Sequence, residues 1–481
     1  MSSCQYEEVR NDPDCEEDEN ESIQSILKQT FIASTIWVQY FMAGLCVGAP
    51  TVFIPQIRRE SNSTIIIDDE MGSWLYSTSS FAMYPWIIIL PIFTSRYGRK
   101  LPQLLAAVCS TAIFVILYYS QNPYHILISE VLQGFLYGGN ITIRILMTTE
   151  YASTKYRGLF LSIKSACFFW GVWVANAIGT YFYWKNIAIV GFFCSIYTYS
   201  IVFWPESPSW LASKDRFEEC KTSYRWLYGY NVHSEKKLQD LISWYNDRQN
   251  EVNFFKMLKD KEFYKPILLC MSTVIQYHLS GKVVCFLYIL DIFKTITNDT
   301  ATAYIAMLIL DGVSVFGMYV GSYLSKVLRR RTLYMSSSFI AVFFLLMISI
   351  YLYLIRFSIV TENKYITIGL LAIYTVSISC GPMILCLSIY GEFIPLRFQL
   401  YSYMITGLTF AVFFSAVVKL TPSILATFGV HGTFLFYFIA FSLCTVHLYI
   451  YLPETNNKTQ KEIELFFKQD KIKMAELKPL R

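Results

Sequence analysis

Charge is what this chain is shortest of. Only 16% of its 481 residues are Asp, Glu, Lys or Arg, against 54% hydrophobic and 17% aromatic residues, and the mean hydropathy is +0.39. A soluble domain of this length needs a more polar surface, so the composition points to a membrane protein. Also missing are paired metal-ligand spacings, a glycine-rich phosphate loop and a nucleophile elbow. Nothing therefore argues for a metal, a cofactor or bond-making chemistry. The twelve cysteines are scattered, and those in apolar stretches, such as Cys46, Cys270 and Cys386, read as small buried hydrophobes. The sequence pI near 8.4 does not imply nucleic acid, because the basic residues are spread over separate loops and form no aromatic-studded face. Residues 1–30 carry nine carboxylates against Arg10 and Lys28 and hold no secretory signal. The first apolar span is expected to direct insertion itself, behind a solvated acidic tail.

What the chain does have is a series of apolar stretches of about 20 residues, long enough to cross a hydrocarbon core of roughly 30 Å as helices. They lie near 31–55, 74–94, 101–120, 125–148, 158–182 and 186–204, and again near 266–290, 301–325, 333–355, 365–390, 400–425 and 430–452. The expectation is an all-α membrane protein with twelve transmembrane helices. Loops after the second, fourth, eighth and tenth spans, and the hydrophilic segment 205–265, are richer in Lys and Arg than the opposite loops, which predicts that both termini are cytoplasmic. Sequons at Asn62 and Asn298 then fall in outward loops as candidate glycosylation sites.

Segment 205–265 divides the spans six and six. Each half repeats the same punctuation in the same order: "SRYGRK", "EYASTKYRG" and "PESPSW" first, then "SKVLRRR", "EFIPLR" and "PETNNKTQKEIE". Arg99 to Arg330 is 231 residues, Glu150 to Glu392 is 242 and Pro205 to Pro453 is 248, so one offset near 240 superposes all three, as duplication would. The predicted organisation is an acidic tail (1–30), a six-helix bundle (31–204), a helical linker (205–265), a second six-helix bundle (266–452) and a tail (453–481). Two parallel six-helix repeats are the plan of a large class of secondary transporters that bind their solute between the halves.

The motifs "SRYGRK", Glu150 with Arg157-Gly158, "PESPSWL", "QYHLSG…FLYILDIF", "GEFIPLR" and "PETNNKTQKEIE" resemble those of the sugar porter family of the major facilitator superfamily. The "GSWLYS" before the second span looks most like insect trehalose and hexose facilitators. The resemblance implies a plasma-membrane carrier of a small solute, most simply a hexose or trehalose, working by alternating access in a lipid bilayer without a cofactor. It also implies a cytoplasmic gate made of Arg96, Arg99, Lys100, Glu150, Arg157 and Glu206 in one half, with Arg329, Arg330, Glu392, Arg397 and Glu454 in the other. Ser95 and Ser325 stand where the family has acids, so a weaker latch and a bias towards the inward-open state are expected.

The resemblance is poorer in the pocket. Where the family places glutamines and an asparagine, this chain has Ser165, Tyr277, His278 and Val283, and Leu387 or Leu385 takes the place of a tryptophan; Tyr288 matches a family tyrosine. His278 and Lys282 are four residues apart, hence on one face of a helix, inside a span where a charge is costly. Two readings stand: both face a wet cavity and bind a polar or anionic solute, or Lys282 snorkels or forms a buried structural pair with Asp311 and never touches ligand. Glu130 stands where the family usually has an arginine that takes part in coupling in proton-linked relatives; the first span lacks their aspartate, which favours uniport, while Glu130 and His278 keep proton coupling open. Arg144 and Lys164, near span ends, are expected to snorkel. Ser165, Tyr277, His278, Lys282 and Tyr288 are the candidate solute contacts. The competing functions are carriage of a non-sugar or anionic metabolite, and nontransporting nutrient sensing on the same fold.

Overall fold

The computed structural model describes residues 22–60, 65–153, 155–246, 261–297, 299–393 and 399–454. Ten of its helical stretches are long and apolar enough to cross a membrane, and the way two spans join and another divides accounts for the difference from twelve. The eleventh and twelfth spans run together as Gln399–Tyr451, with a non-helical junction at Gly429. The seventh span is in three pieces, Lys261–Leu279, Lys282–Leu287 and Ile289–Thr297. Its first break is at Gly281, whose φ of 84° is left-handed and suits a residue without a Cβ. The fourth span is also divided, into Pro123–Ile141 and Ile143–Tyr151, and the tenth into Lys364–Cys380 and Pro382–Phe393.

The first helix starts at Ile23 and runs to Arg59, so residues 23–30 are helix and not a free leader. Polar groups there find partners in the linker, which makes ordering them favourable. Ser25 Oγ donates to the Leu227 carbonyl and Lys28 Nζ to the Trp226 carbonyl, both at 2.9 Å. The linker itself folds into Pro208–Ser213, Phe217–Tyr228 and Val232–Asn246, with a small core of Trp210, Leu211, Cys220, Tyr224 and Leu238.

The two bundles meet along the fifth and eighth spans and along the second and eleventh. In the half of the molecule away from the linker, Asn176 Nδ2 donates to Asp311 Oδ2 at 2.7 Å and Trp173 Nε1 to the Leu308 carbonyl at 3.1 Å. Midway along their spans, Tyr84 and Ser415 share a hydroxyl hydrogen bond of 2.7 Å; farther from the linker, the rings of Tyr76 and Tyr288 lie 5.5 Å apart, and Lys419 Nζ donates to Ser73 Oγ at 2.9 Å. Nearer the linker, Trp170 Nε1 donates to Tyr319 Oη at 3.0 Å and Tyr403 stands against Thr149.

A cavity between the bundles and a charged rim

The breaks in the fourth, seventh and tenth spans frame a cavity of about 130 Å³ between the bundles. Eighteen residues line it, and only Tyr40, Tyr137, Asn140, Ser165, Tyr277 and Cys386 bring a polar side chain; the other twelve are Val, Ile, Met and Phe. Several polar groups are already engaged. Tyr40 Oη donates to the Asn140 carbonyl, Tyr137 Oη contacts the Ala43 carbonyl and Gln133 Oε1 at 3.3 Å each, and Ser165 Oγ donates to the Leu161 carbonyl at 3.2 Å. Tyr277 and the amide of Asn140 are the chief polar groups presented to the cavity.

At the linker end, Gly98 turns the chain with φ 95°, so that the backbone N–H groups of Arg99 and Lys100 meet Glu206 at 2.8 and 3.3 Å. A Cβ at Gly98 would collide with the Glu206 carboxylate. Arg99 grips Glu150 with two parallel bonds of 2.9 and 2.5 Å, the strong bidentate geometry, and Ser207 Oγ adds a bond to Glu150 at 2.7 Å. Burial pulls the Arg99 guanidinium down, but the charge and hydrogen bonds of Glu150, together with the charge of Glu206, hold it above the ordinary arginine value. The second bundle repeats part of this: the Arg331 N–H donates to Glu454 Oε2 at 3.2 Å, and Arg330 lies within electrostatic reach of Glu454.

The family model described as "Sugar (and other) transporter" matches residues 31–467. The chain belongs to that family. The facilitated trehalose transporter Tret1 of Bombyx mori is 25% identical over 408 residues, 84% of this chain and 80% of that one. The sugar transporter ERD6-like 6 of Arabidopsis thaliana is 23% identical, covering 77% of each. Among solved structures, the proton:xylose symporter XylE bound to 6-bromo-6-deoxy-D-glucose superposes with a TM-score of 0.76 at 14% identity, over 90% of this chain and 99% of that one. The fold is the twelve-helix major facilitator fold, and the chain is a multi-pass membrane transporter of this family.

Against that family pattern, the expected solute contacts divide. Ser165 and Tyr277 line the cavity, whereas His278, Lys282 and Tyr288 do not. His278 is fully buried beside Phe410, with ring centroids 4.4 Å apart; its Nδ1 donates to the Val274 carbonyl at 2.8 Å, and its Nε2 has no partner among the described residues. Lys282 is 2% exposed, and its Nζ donates to Ser314 Oγ at 2.5 Å. The shared-face argument fails for a physical reason: the helix ends at Leu279, Gly281 turns the backbone, and Lys282 opens the next helix. Nor do Lys282 and Asp311 form an ion pair. Asp311 takes its hydrogen bond from Asn176 and acts on Lys282 only at longer range. Tyr288 instead donates to the Val418 carbonyl at 2.7 Å.

The rim also differs in detail. Arg99, Lys100, Glu150 and Glu206 come together, but Arg96 is exposed over the Tyr97 ring, 5.6 Å from its centroid, and Arg157 faces Tyr228 and Tyr403. The Arg99–Glu150–Glu206 contacts tie parts of one bundle and the linker to each other, and none of them spans the two bundles. In the second half Arg331 takes up Glu454 through its backbone, while Arg329 is exposed. The side chains of Glu392 and Leu387, together with Arg397, Asn62 and Asn298, lie outside the described residues. Leu385 is buried, 2% exposed.

Two cations expected to snorkel do not. Arg144 is 1% exposed, and its guanidinium donates to Gln39 Oε1 and Asn140 Oδ1 at 2.5 Å and to the Leu136 carbonyl at 2.8 Å. Lys164 is fully buried, with its ammonium 4.9 Å from the centre of the Tyr40 ring and without a hydrogen-bond partner among the described residues. Lys164 is seven residues into its helix from Arg157, a depth of about 10 Å at 1.5 Å per residue, too far for its stem to carry the charge back to the end. Their depth was the available signal. Glu130 is likewise buried, accepting from Gln133 Nε2 at 3.0 Å and contacting Ser79.

Proposed function

We propose that this chain is a facilitative transporter that carries a small polar solute, most simply a hexose, across the plasma membrane by alternating access. The observation that supports it is the cavity between two six-helix bundles in a member of the sugar (and other) transporter family. Its trehalose- and sugar-transporting relatives point to the solute class. Between hexose and trehalose, the cavity disfavours the disaccharide: its volume of about 130 Å³ is below the roughly 150 Å³ that holds a single benzene.

On this reading the linker, both termini and the Arg99–Glu150–Glu206 cluster face the cytosol. Arg96, Arg99, Lys100, Arg157, Arg329, Arg330, Glu392, Arg397 and Glu454 belong to the cytosolic gate, with Glu206 fixing the turn on which Arg99 sits. The bonds from Asn176 and Lys419 hold the outer half closed. Because the rim cluster lies within one bundle, it keeps that bundle rigid while closure is made elsewhere, at Tyr403 against Thr149. Ser165 and Tyr277 contact the solute, and Asn62 and Asn298 are glycosylation sites on the outer face. Uniport fits the first span, which lacks the aspartate of proton-linked relatives.

The test is uptake of labelled glucose and trehalose into proteoliposomes holding the full chain. Saturable glucose entry that outruns trehalose is expected. Absence of any saturable flux, with the protein folded, would leave the sensor reading in its place.

A further inference from the structure

The fifth and eighth spans are bonded together at one end and parted at the other. Away from the linker they are joined by Asn176 to Asp311 at 2.7 Å and by Trp173 to the Leu308 carbonyl at 3.1 Å. Trp170 and Tyr319, 3.0 Å apart, make the last described hydrogen bond between the two spans before the linker end. Beyond it a crevice of about 270 Å³ lies between them, about twice the volume of the central cavity. Ala166 and Met318 are its deepest members, and Leu159 and Lys326 stand at its mouth. Leu159 and Ala166 are two and nine residues into the helix that begins at Arg157, depths of about 3 and 14 Å at 1.5 Å per residue. That is the reach of one leaflet of a bilayer whose hydrocarbon core is roughly 30 Å thick.

The chemistry of the crevice changes along this depth. Its inner walls, with Ile163, Ala166 and Met318, are apolar, whereas Ser162, Ser322 and Lys326 bring polar groups nearer the mouth, and no carboxylate lines it. The flank is turned to the surroundings: Tyr319 and Tyr323 are 49% and 68% exposed, and Phe316 and Val327 on the same helix 62% and 66%, surface that only lipid covers favourably in a membrane protein. Lys155, just before the fifth span, and Arg329, just after the eighth, are exposed at the same end as Lys326. None of the three has a carboxylate partner among the described residues. Basic pockets between transmembrane helices on the cytosolic side attract anionic headgroups. A sugar would turn its hydroxyls to the apolar inner walls; a molecule with a hydrocarbon chain below a negative head matches both ends.

We propose that this crevice binds an anionic phospholipid of the cytosolic leaflet, with an acyl chain between the fifth and eighth spans and its phosphate at Lys326. The proposal takes from the proposed function only which end of the chain is cytosolic, and it concerns a resident lipid and not the transported solute.

The experiment titrates the purified full chain in detergent with phosphatidylglycerol, phosphatidylcholine and soluble glycerol 3-phosphate. Retained lipid is counted by native mass spectrometry, and the unfolding midpoint is followed in parallel. Phosphatidylglycerol should be retained about fivefold more tightly than phosphatidylcholine, the worth of one basic residue at an anionic surface, and should raise the midpoint. Glycerol 3-phosphate should do neither. Lys326→Gln should bring phosphatidylglycerol down to the level of phosphatidylcholine, Ser162→Trp should fill the crevice and lower retention of both lipids, and Lys236→Met, an exposed linker charge, should change nothing. Equal retention of the two lipids by the wild type, or undiminished preference in Lys326→Gln, would overturn the proposal. Stabilisation by glycerol 3-phosphate as strong as by phosphatidylglycerol would assign the site to a free anion and overturn it as well. Lys326 is at the surface, so its variant keeps the test decisive should Ser162→Trp not fold. Neither readout involves flux, so failure here leaves the proposed transport untouched, and absence of glucose uptake leaves the lipid site standing.

Discussion

Arg99 and Arg144 belong to the same bundle and are 8% and 1% exposed, yet their surroundings have little in common. Arg99, at the linker end, is held by both oxygens of Glu150 and sits on a turn fixed by Glu206. Arg144, deeper in the fourth span, is surrounded by an amide oxygen from each of two side chains and one carbonyl. The rim charge is cancelled within the fold, so its task is complete without any ligand. The interior charge is hydrogen-bonded to neutral oxygens and has no carboxylate partner among the described residues. Burial alone does not describe the two cations; what separates them is whether the protein itself supplies the counter-charge.

The hardest test of the contrast removes the counter-charge at the rim. Glu150→Gln leaves Arg99 buried without its bidentate partner, and breaking a buried pair from one side costs on the order of 3–5 kcal/mol. The variant should lower the thermal unfolding midpoint of the purified protein in detergent further than any substitution that breaks a contact between neutral groups. A midpoint within a degree of wild type would mean that the rim pair is not a self-contained structural unit.

The rim was legible in the sequence because its residues are held by short local signals. Gly98, Arg99, Glu150 and Glu206 sit at span ends in motifs that recur in the other half, and a turn at an end needs those residue types whatever lies in the middle. The twelve spans were legible for a similar reason, since hydropathy over about 20 residues is set by the bilayer and not by neighbours. The cavity was legible at Ser165 and Tyr277 only through resemblance. Periodicity misplaces His278 and Lys282 because it assumes an unbroken helix, and the seventh span breaks at Gly281. Snorkelling is the wrong expectation for Arg144 and Lys164 because the cost of their depth depends on which neighbours surround the side chain, and three spans must be packed before those neighbours exist.

A middle case lies on the bundle interface. Asp311 is a buried charge whose described hydrogen bond comes from the neutral amide of Asn176, across the two bundles. Bonds to a charged group are worth roughly 1.5–3 kcal/mol, so Asn176→Ala should destabilise the protein by about that much, less than Glu150→Gln. Because the bond joins the bundles in the half away from the linker, the variant should also label faster at a cysteine placed at Ser415 when a membrane-impermeant maleimide is applied from that side. Loss of stability without faster labelling would show that the pair serves packing and not closure, and would detach Asp311 from the gating comparison.

The smallest effect expected is at Tyr288, where both partners are neutral. Its hydroxyl donates to the Val418 carbonyl and its ring meets Tyr76 across the bundles. Tyr288→Phe keeps the ring and deletes the hydroxyl, leaving one carbonyl short of a donor, a loss of about 0.5–1.5 kcal/mol. The shift in unfolding midpoint should therefore fall below that of Asn176→Ala, and the sequence of charge on charge, charge on amide, and hydroxyl on carbonyl should order the three variants. If Tyr288→Phe instead matched Glu150→Gln, the cost of breaking a buried contact in this protein would follow position between the bundles and not the presence of an uncancelled charge, and the distinction between Arg99 and Arg144 would lose its physical basis.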